Sequence, residues 1–228
     1  MTVAVGRLVV FEGVEGVGKT TQLDRLVARL AAAGVNVARF REPGGTPVGD
    51  RIRQVLLDPG TLMDARTEAL LFMASRAELV ATAVRPALAA GAIVFLDRFF
   101  LSTYAYQVDG RGLPEQDVRA ANATATGGLI PDLTILFSLP AGQGLARANQ
   151  RGASDRMERS GQLFHARVEA AFSRFATPAW QGAHPEAGRI MLVDATGSAD
   201  TVEQRIAATL ADTLHEVHEV RAALGRDA

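Results

Sequence analysis

The stretch VVFEGVEGVGKTTQ, residues 9–22, decides the fold of this chain. An apolar run stops at glycines, and the spacing from Gly13 to Gly18-Lys19-Thr20 is Gly-x-x-x-x-Gly-Lys-Thr. This spacing is typical of a loop that joins a buried strand to a helix and holds phosphate oxygens with backbone N–H groups. We therefore predict a nucleoside triphosphate site made by Gly13, Val14, Glu15, Gly16, Val17, Gly18, Lys19, Thr20 and Thr21.

Lys19 is the only lysine among the 24 lysine and arginine residues of the chain. A compact ammonium fits between the oxygens of the β- and γ-phosphates, whereas a broad guanidinium does not. The only lysine thus lies at the position of the loop where a compact ammonium is needed to bind phosphate. This supports a working phosphate loop, in which Thr20 can ligate Mg²⁺.

Composition restricts the class of protein. The 228 residues are enough for one α/β domain, and 48% hydrophobic with 21% charged residues is ordinary for a soluble globular protein. A net charge of −1 provides no basic field for nucleic acid or an anionic membrane, so we expect neither as a partner. The absence of cysteine excludes thiol catalysis and disulfides, and fits the cytoplasm. No uncharged stretch reaches transmembrane length.

Apolar runs alternate with helical patterns along the chain, which predicts a doubly wound, three-layer α/β fold around a parallel sheet. The predicted strands are 8–11, 35–40, 92–96, 133–137 and 190–193. The predicted helices are 19–33, 46–57, 66–89, 113–126, 142–150, 162–175 and 200–215. Residues 1–216 should form a single domain, and residues 217–228 a helical extension or a frayed tail.

Polar residues follow the first three apolar runs, where a parallel sheet binds ligands at its carboxyl edge. The segments are EGVEGVGKTT, REPGGT (41–46) and DRFFLSTYAYQ (97–107). Asp97 can hold Mg²⁺ and Arg98 can face a phosphate, although a structural ion pair is the alternative for these two residues alone. Hydrogen-bonding side chains follow on the same segment: Ser102, Thr103, Tyr106 and Gln107.

The chain resembles the bacterial thymidylate kinase family over about residues 6–179. The resemblance is carried, in the family's order, by FEGVEGVGKTTQ, REPGGT, IRQVLLD, LLFMASRAEL, DRFFLSTYAYQ, PDLTILFSL and RGASDRMERSG. It implies a P-loop kinase fold with a five-stranded parallel sheet and a mobile lid at about 147–161. It also implies phosphoryl transfer from Mg²⁺–ATP to dTMP, which yields dTDP and supplies dTTP for DNA synthesis, by a homodimer.

By that resemblance, Phe72 stacks on thymine and Arg76 donates to a base carbonyl, roles that suit an aromatic face and a guanidinium. Their i, i+4 spacing places both on one helix face. From periodicity alone, Phe72 would be as readily a core residue and Arg76 a solvated charge. Glu42, in REPGGT, could orient a neighbouring arginine.

The resemblance also assigns the remaining acceptor contacts. Arg53 and Arg98 match the arginines that bind the acceptor phosphate, and Tyr106 matches the ring near the 2′ position of the sugar. The set is completed by residues for which only proximity to the substrate is implied: Pro43, Ser102, Thr103 and Gln107.

Glu15 places a carboxylate inside the phosphate loop. It would repel ATP if it pointed at the phosphates, so we expect it to face the acceptor, where the resemblance implies a hydrogen bond to the 3′-hydroxyl of the sugar. The loop has no arginine to balance charge developing in transfer.

The segment 147–161 can supply that charge, because it contains Arg147, Arg151, Arg156 and Arg159 and is interrupted by Gly152 and Gly161. We predict that Arg151, and after it Arg156, contacts the transferring phosphoryl group, whereas Asp155 and Glu158 orient these arginines. An exposed basic loop is the alternative.

Two other functions are alternatives to this one. A P-loop kinase with another small acceptor, such as a deoxynucleoside or shikimate, shares the phosphate loop. A nucleotide-switched binding module would usually carry Asn-Lys-x-Asp for guanine, and a chain whose only lysine is Lys19 has no such motif.

Overall fold

The computed structural model describes residues 6–149, 155–214 and 218–225. Five parallel strands form one sheet in the order β2-β3-β1-β4-β5. The strands are β1 Arg7–Glu12, β2 Val37–Arg41, β3 Ile93–Asp97, β4 Leu133–Ser138 and β5 Ile190–Asp194. The predicted α/β fold with a five-stranded parallel sheet is confirmed.

Helices cover both faces of the sheet, and each predicted helix has a counterpart. They are α1 Lys19–Ala32, α2 Pro47–Leu57, α3 Ala65–Leu79, α4 Arg85–Ala89, α5 Phe100–Thr103, α6 Glu115–Thr126, α7 Gln143–Asn149, α8 Gln162–Phe175, α9 Pro178–Ala183, α10 Ala199–Thr213 and α11 His218–Leu224. A π-helical turn, Val80–Val84, joins α3 to α4, and a second one, Tyr104–Gly110, continues α5. A 3₁₀ turn, Pro185–Ala187, precedes β5.

The elements differ from the sequence prediction at several places, and helix α9, for example, was not predicted. Strand β2 begins at Val37 rather than at residue 35, because the N–H of Val35 donates to Leu30 at 3.1 Å and closes α1. The predicted helix 66–89 changes its winding before Pro86, which has no N–H to donate to residue 82. The segment Phe100–Gly110 is helical, where no helix was predicted.

The central strand β1 separates two hydrophobic layers. Leu8 and Val10 pack on one side with residues of α3 and α8, and Val9 and Phe11 pack on the other side with residues of α1 and α10. Both faces of the strand are thus buried, which explains why its sequence is continuously apolar. Within the described residues, no helix is long and apolar enough to cross a membrane.

The predicted boundary of the domain at residue 216 stays a prediction. Helix α11 packs on the α1 side of the sheet, where Val220 and Leu224 are buried and Arg29 Nε donates to the carbonyl of Ala223 at 3.1 Å. Residues 217 and 226–228 of the predicted tail lie outside the described residues.

Gly188 offers a test of the packing before β5. Its φ is 69°, and a Cβ there would lie 2.2 Å from the carbonyl oxygen of Pro131, a backbone atom that cannot move aside. We expect Gly188→Ala to lower the free energy of unfolding by about 2 kcal/mol or more, measured by urea denaturation. The matched control is Gly182→Ala, since a Cβ at Gly182 in α9 meets no atom within 4 Å. Equal stability of the two variants would contradict this expectation.

Candidate active site

A cavity of about 300 Å³ opens at the carboxyl ends of β1, β2 and β3. It brings together most of the predicted site residues, namely Glu15, Gly16, Val17, Gly18, Lys19, Thr20, Thr21, Pro43, Arg53, Phe72, Arg76, Asp97, Arg98, Ser102, Thr103, Tyr106 and Gln107. Arg39, Arg41 and Glu42 also line it and were not assigned to the site from the sequence. Arg151, which was predicted to contact the transferring phosphoryl group, lies outside the described residues.

The phosphate loop closes around Lys19. Its Nζ donates to the carbonyl oxygens of Gly13 and Val14 at 2.8 and 2.9 Å, so the ammonium is held at the N-terminus of α1. Gly13 has a φ of 139°, and a Cβ there would lie 2.9 Å from the carbonyl of Phe137. A glycine is therefore required by both conformation and space. Burial and the charge of Arg98 lower the pKa of Lys19 to about 8.

Glu15 turns toward the β3 side of the cavity. The hydroxyl of Tyr106 donates a short hydrogen bond to its Oε1, and Arg98 Nη2 lies 3.3 Å from the same atom. Burial alone would raise the pKa of Glu15, but Arg98, Tyr106 and Lys19 outweigh it and hold the pKa below its usual value. The carboxylate is therefore ionised and balanced by neighbouring cations.

Arg98 occupies a left-handed backbone conformation, with a φ of 73°, at the turn after β3. Its N–H donates to Phe11 at 3.0 Å, and its Nη1 donates to the Ser102 hydroxyl at 2.9 Å and to the carbonyl of Gly13 at 3.2 Å. Non-glycine residues rarely adopt this conformation, so the surrounding contacts must hold it.

Glu12 holds this turn, a role that was not predicted from the sequence. Its carboxylate, with 0% exposure, accepts from the N–H of Phe99 at 2.7 Å and from the N–H and hydroxyl of Ser102 at 3.0 and 2.7 Å. A negative charge is favourable there, because these N–H groups begin helix α5. An acidic residue at the end of an otherwise apolar central strand was the signal that could have found it.

Thr20 and Asp97 meet at the start of α1. The Thr20 hydroxyl donates to Asp97 Oδ2 at 3.0 Å, so these two side-chain oxygens lie together at the phosphate loop. Among the described residues, no group of three or more histidine, aspartate or glutamate side chains is arranged to hold a metal ion. Two oxygens from the protein suit Mg²⁺, which usually keeps waters and binds the substrate's phosphates as well.

Arg53 contributes positive charge at the opposite wall. Its Nη1 donates to the carbonyl of Pro43 at 2.8 Å, which orients the guanidinium along the turn after β2. Burial and the nearby charges of Arg41 and Arg98 lower the pKa of Arg53. This crowding of like charges makes the wall suitable for an anion.

Arg76 is the arginine that Glu42 orients. Its Nε and Nη2 donate to Glu42, its Nη1 to Thr103 and Asn122, and its Nη2 also to the carbonyl of Phe99. These bonds use all five N–H groups of a guanidinium. A bond from Arg76 to a base carbonyl stays a prediction, and it would have to share or replace one of these partners.

Arg156 is held away from the cavity in this structure, although its neighbours Asp155, Met157 and Glu158 line it. Its Nη1 donates to Glu68 at 2.7 Å and its Nε to the carbonyl of Leu56 at 2.7 Å. Contact with a phosphoryl group would require Arg156 to leave Glu68, and this role stays a prediction. Asp155 Oδ1 instead accepts the N–H groups of Met157 and Glu158.

The parallel sheet, the phosphate loop after its central strand and the arginines on the opposite wall of the same cavity are together typical of a P-loop nucleotide kinase. A family model described as Thymidylate kinase matches residues 11–206. The chain belongs to the thymidylate kinase family.

Individual relatives are similar over nearly the whole chain. The chain is 46% identical over 210 residues to the thymidylate kinase of Deinococcus radiodurans, which covers 92% of this chain and 98% of that protein. It is 47% identical over 210 residues to the enzyme of Pseudomonas fluorescens strain Pf-5, covering 92% and 97%. The crystal structure of thymidylate kinase from Ehrlichia chaffeensis superposes with a TM-score of 0.69 at 28% identity, covering 90% and 97%.

The lowered pKa of Lys19 predicts a pH dependence of ATP affinity. Below pH 8 the ammonium is charged and attracts the triphosphate, whereas above its pKa of about 8 the amine is neutral. We expect the Kd for ATP, measured by calorimetry at constant ionic strength, to rise about tenfold from pH 7 to pH 9. Lys19→Met should bind weakly and lose this dependence. A constant Kd over this range in the unmodified protein would exclude the titration of Lys19.

Proposed function

We propose that this protein transfers the γ-phosphoryl group of ATP to thymidylate, giving dTDP and ADP. The observation that carries the proposal is one cavity that joins the phosphate loop to a pocket with an aromatic wall, Phe72, and arginines Arg53 and Arg98. Membership of the thymidylate kinase family supports the same acceptor.

In the proposed reaction, the two ends of the cavity have different tasks. Lys19 and the N–H groups of the loop bind the β- and γ-phosphates, and Arg53 and Arg98 bind the phosphate of dTMP. Glu15 would accept a hydrogen bond from the 3′-hydroxyl, since its carboxylate already turns toward Arg98 and Tyr106. Positioning of the two phosphates and balance of their charge supply most of the catalysis in this chemistry.

Thr20 and Asp97 would hold Mg²⁺ beside the phosphate loop. When bound there, the ion neutralises charge on the β- and γ-phosphates. The hydrogen bond between the Thr20 hydroxyl and Asp97 keeps these two oxygens together on the protein side. We also propose that the enzyme acts in the cytoplasm, for which the absence of cysteine is the support.

The acceptor is tested by ADP release with a panel of monophosphates and deoxynucleosides. We expect rapid Mg²⁺-dependent ADP release with dTMP and little release without an acceptor. Lys19→Arg is the control: it should lower kcat about a hundredfold or more, because the broader guanidinium displaces the phosphates. Faster turnover of a deoxynucleoside than of dTMP would overturn the proposal.

We further propose that the enzyme is a homodimer, as the family resemblance implies. Exposed apolar side chains on neighbouring helices support it, namely Val48 and Val55 on α2 and Leu70 on α3, which are 50%, 46% and 63% exposed. Sedimentation equilibrium should give twice the mass of one chain, and Leu70→Glu should shift the protein toward monomer. A monomeric unmodified protein at micromolar concentration would refute this.

A further inference from the structure

Glu68 is a buried carboxylate on α3 that the proposed reaction does not use. It has 1% exposure and lies one helical turn before Phe72 on the same face of the helix. It accepts from Gln107 Nε2 at 3.1 Å, from Arg111 Nε and Nη2 at 3.0 and 2.9 Å, and from Arg156 Nη1 at 2.7 Å. One carboxylate thus joins a residue of the cavity wall to two arginines behind it.

The bond from Gln107 determines which end of its amide is free. Burial would raise the pKa of Glu68, but the two arginines and Gln107 outweigh it and lower the pKa, so the carboxylate is ionised at neutral pH. An ionised carboxylate only accepts hydrogen bonds, and the NH₂ group of Gln107 must therefore face it. The carbonyl oxygen of that amide accepts no bond from any residue the structure describes, and Gln107 lines the cavity.

We propose that Glu68 is a positioning residue for base selection, which holds Gln107 with its carbonyl toward the base. Gln107 and Phe72 line the same cavity, so a pyrimidine against Phe72 presents its hydrogen-bonding edge to this wall. Thymine carries a donor at N3, whereas cytosine carries an acceptor there and would meet the carbonyl with a repulsive, unpaired group. This inference rests on the proposed function, since it concerns the nucleotide bound in that pocket.

The two arginines explain why the negative charge of Glu68 is needed. In Glu68→Gln, the only acceptor of the new side chain is its carbonyl, which Arg111 and Arg156 both face. Its NH₂ group would then face Gln107, and two NH₂ groups cannot bond to each other. We expect the side-chain amide of Gln107 to flip, so that its NH₂ group faces the cavity. This NH₂ group can donate a hydrogen bond to the N3 of cytosine.

The test compares the Kd values of dTMP and dCMP, measured by calorimetry, in the unmodified protein and in Glu68→Gln. We expect the preference for dTMP over dCMP to fall about tenfold or more in the variant. If Glu68 had only a structural role, the variant would bind both nucleotides more weakly to the same extent, and the ratio of their Kd values would be unchanged. An unchanged ratio in a folded Glu68→Gln protein would overturn the inference.

Arg111→Gln is the matched control, because it removes a partner of the same carboxylate but leaves Glu68 facing Gln107. We expect Arg111→Gln to lower the melting temperature and to leave the preference for dTMP over dCMP unchanged. A preference that falls as far in Arg111→Gln as in Glu68→Gln would also overturn the inference. If Glu68→Gln does not fold, the same measurement is made on Gln107→Met. This variant lacks the oriented carbonyl, so its preference for dTMP over dCMP must fall, and an unchanged preference would overturn the inference. Failure of the unmodified protein to release ADP with dTMP would instead reject the proposed function.

Discussion

The carboxylate of Glu12 ties the phosphate loop to the acceptor side of the cavity, and the rest of the site depends on this contact. Glu12 ends the central strand just before Gly13, and its hydrogen bonds reach Phe99 and Ser102 beyond β3. Because the carboxylate is buried, loss of any of these partners would leave a polar group unpaired at a cost of about 1–3 kcal/mol. The same contacts hold the turn in which Arg98 has a positive φ and from which its side chain reaches back to Gly13 and Glu15.

The arginines that line the cavity fall into two groups. Arg76 has protein partners for all five N–H groups and acts as part of the wall, with Phe99 packed against its guanidinium at 4.8 Å. Arg53 and Arg98 have fewer protein partners, and the charges of Arg41 and Arg98 lie near Arg53, which leaves the Arg53 guanidinium able to bind an anion. Arg98 also faces the carboxylate of Glu15. Arg156 lies outside the cavity in this structure, where Glu68 and the carbonyl of Leu56 hold it.

Much of the fold and of the cavity could be predicted from the sequence. The phosphate loop, all five strands and the edge where polar residues gather follow from patterns within short stretches of chain. The segment Phe100–Gly110 shows where such patterns fail. Its aromatic residues have no clear helical signal, and its helix begins where the carboxylate of Glu12, far away in sequence, accepts the first N–H groups.

The sequence by itself determined the family, the parallel sheet and the identity of the loop that holds phosphate. Spacing carries this information, because a strand, a glycine turn and a helix N-terminus are each set by neighbouring residues. Only the tertiary structure decided which partners the buried carboxylates have, because Glu42 to Arg76, Glu68 to Gln107 and Glu12 to Ser102 span 34, 39 and 90 positions. A buried charge must be paired, but the chain pattern does not say by which distant residue, and packing of the helices on the sheet makes that choice.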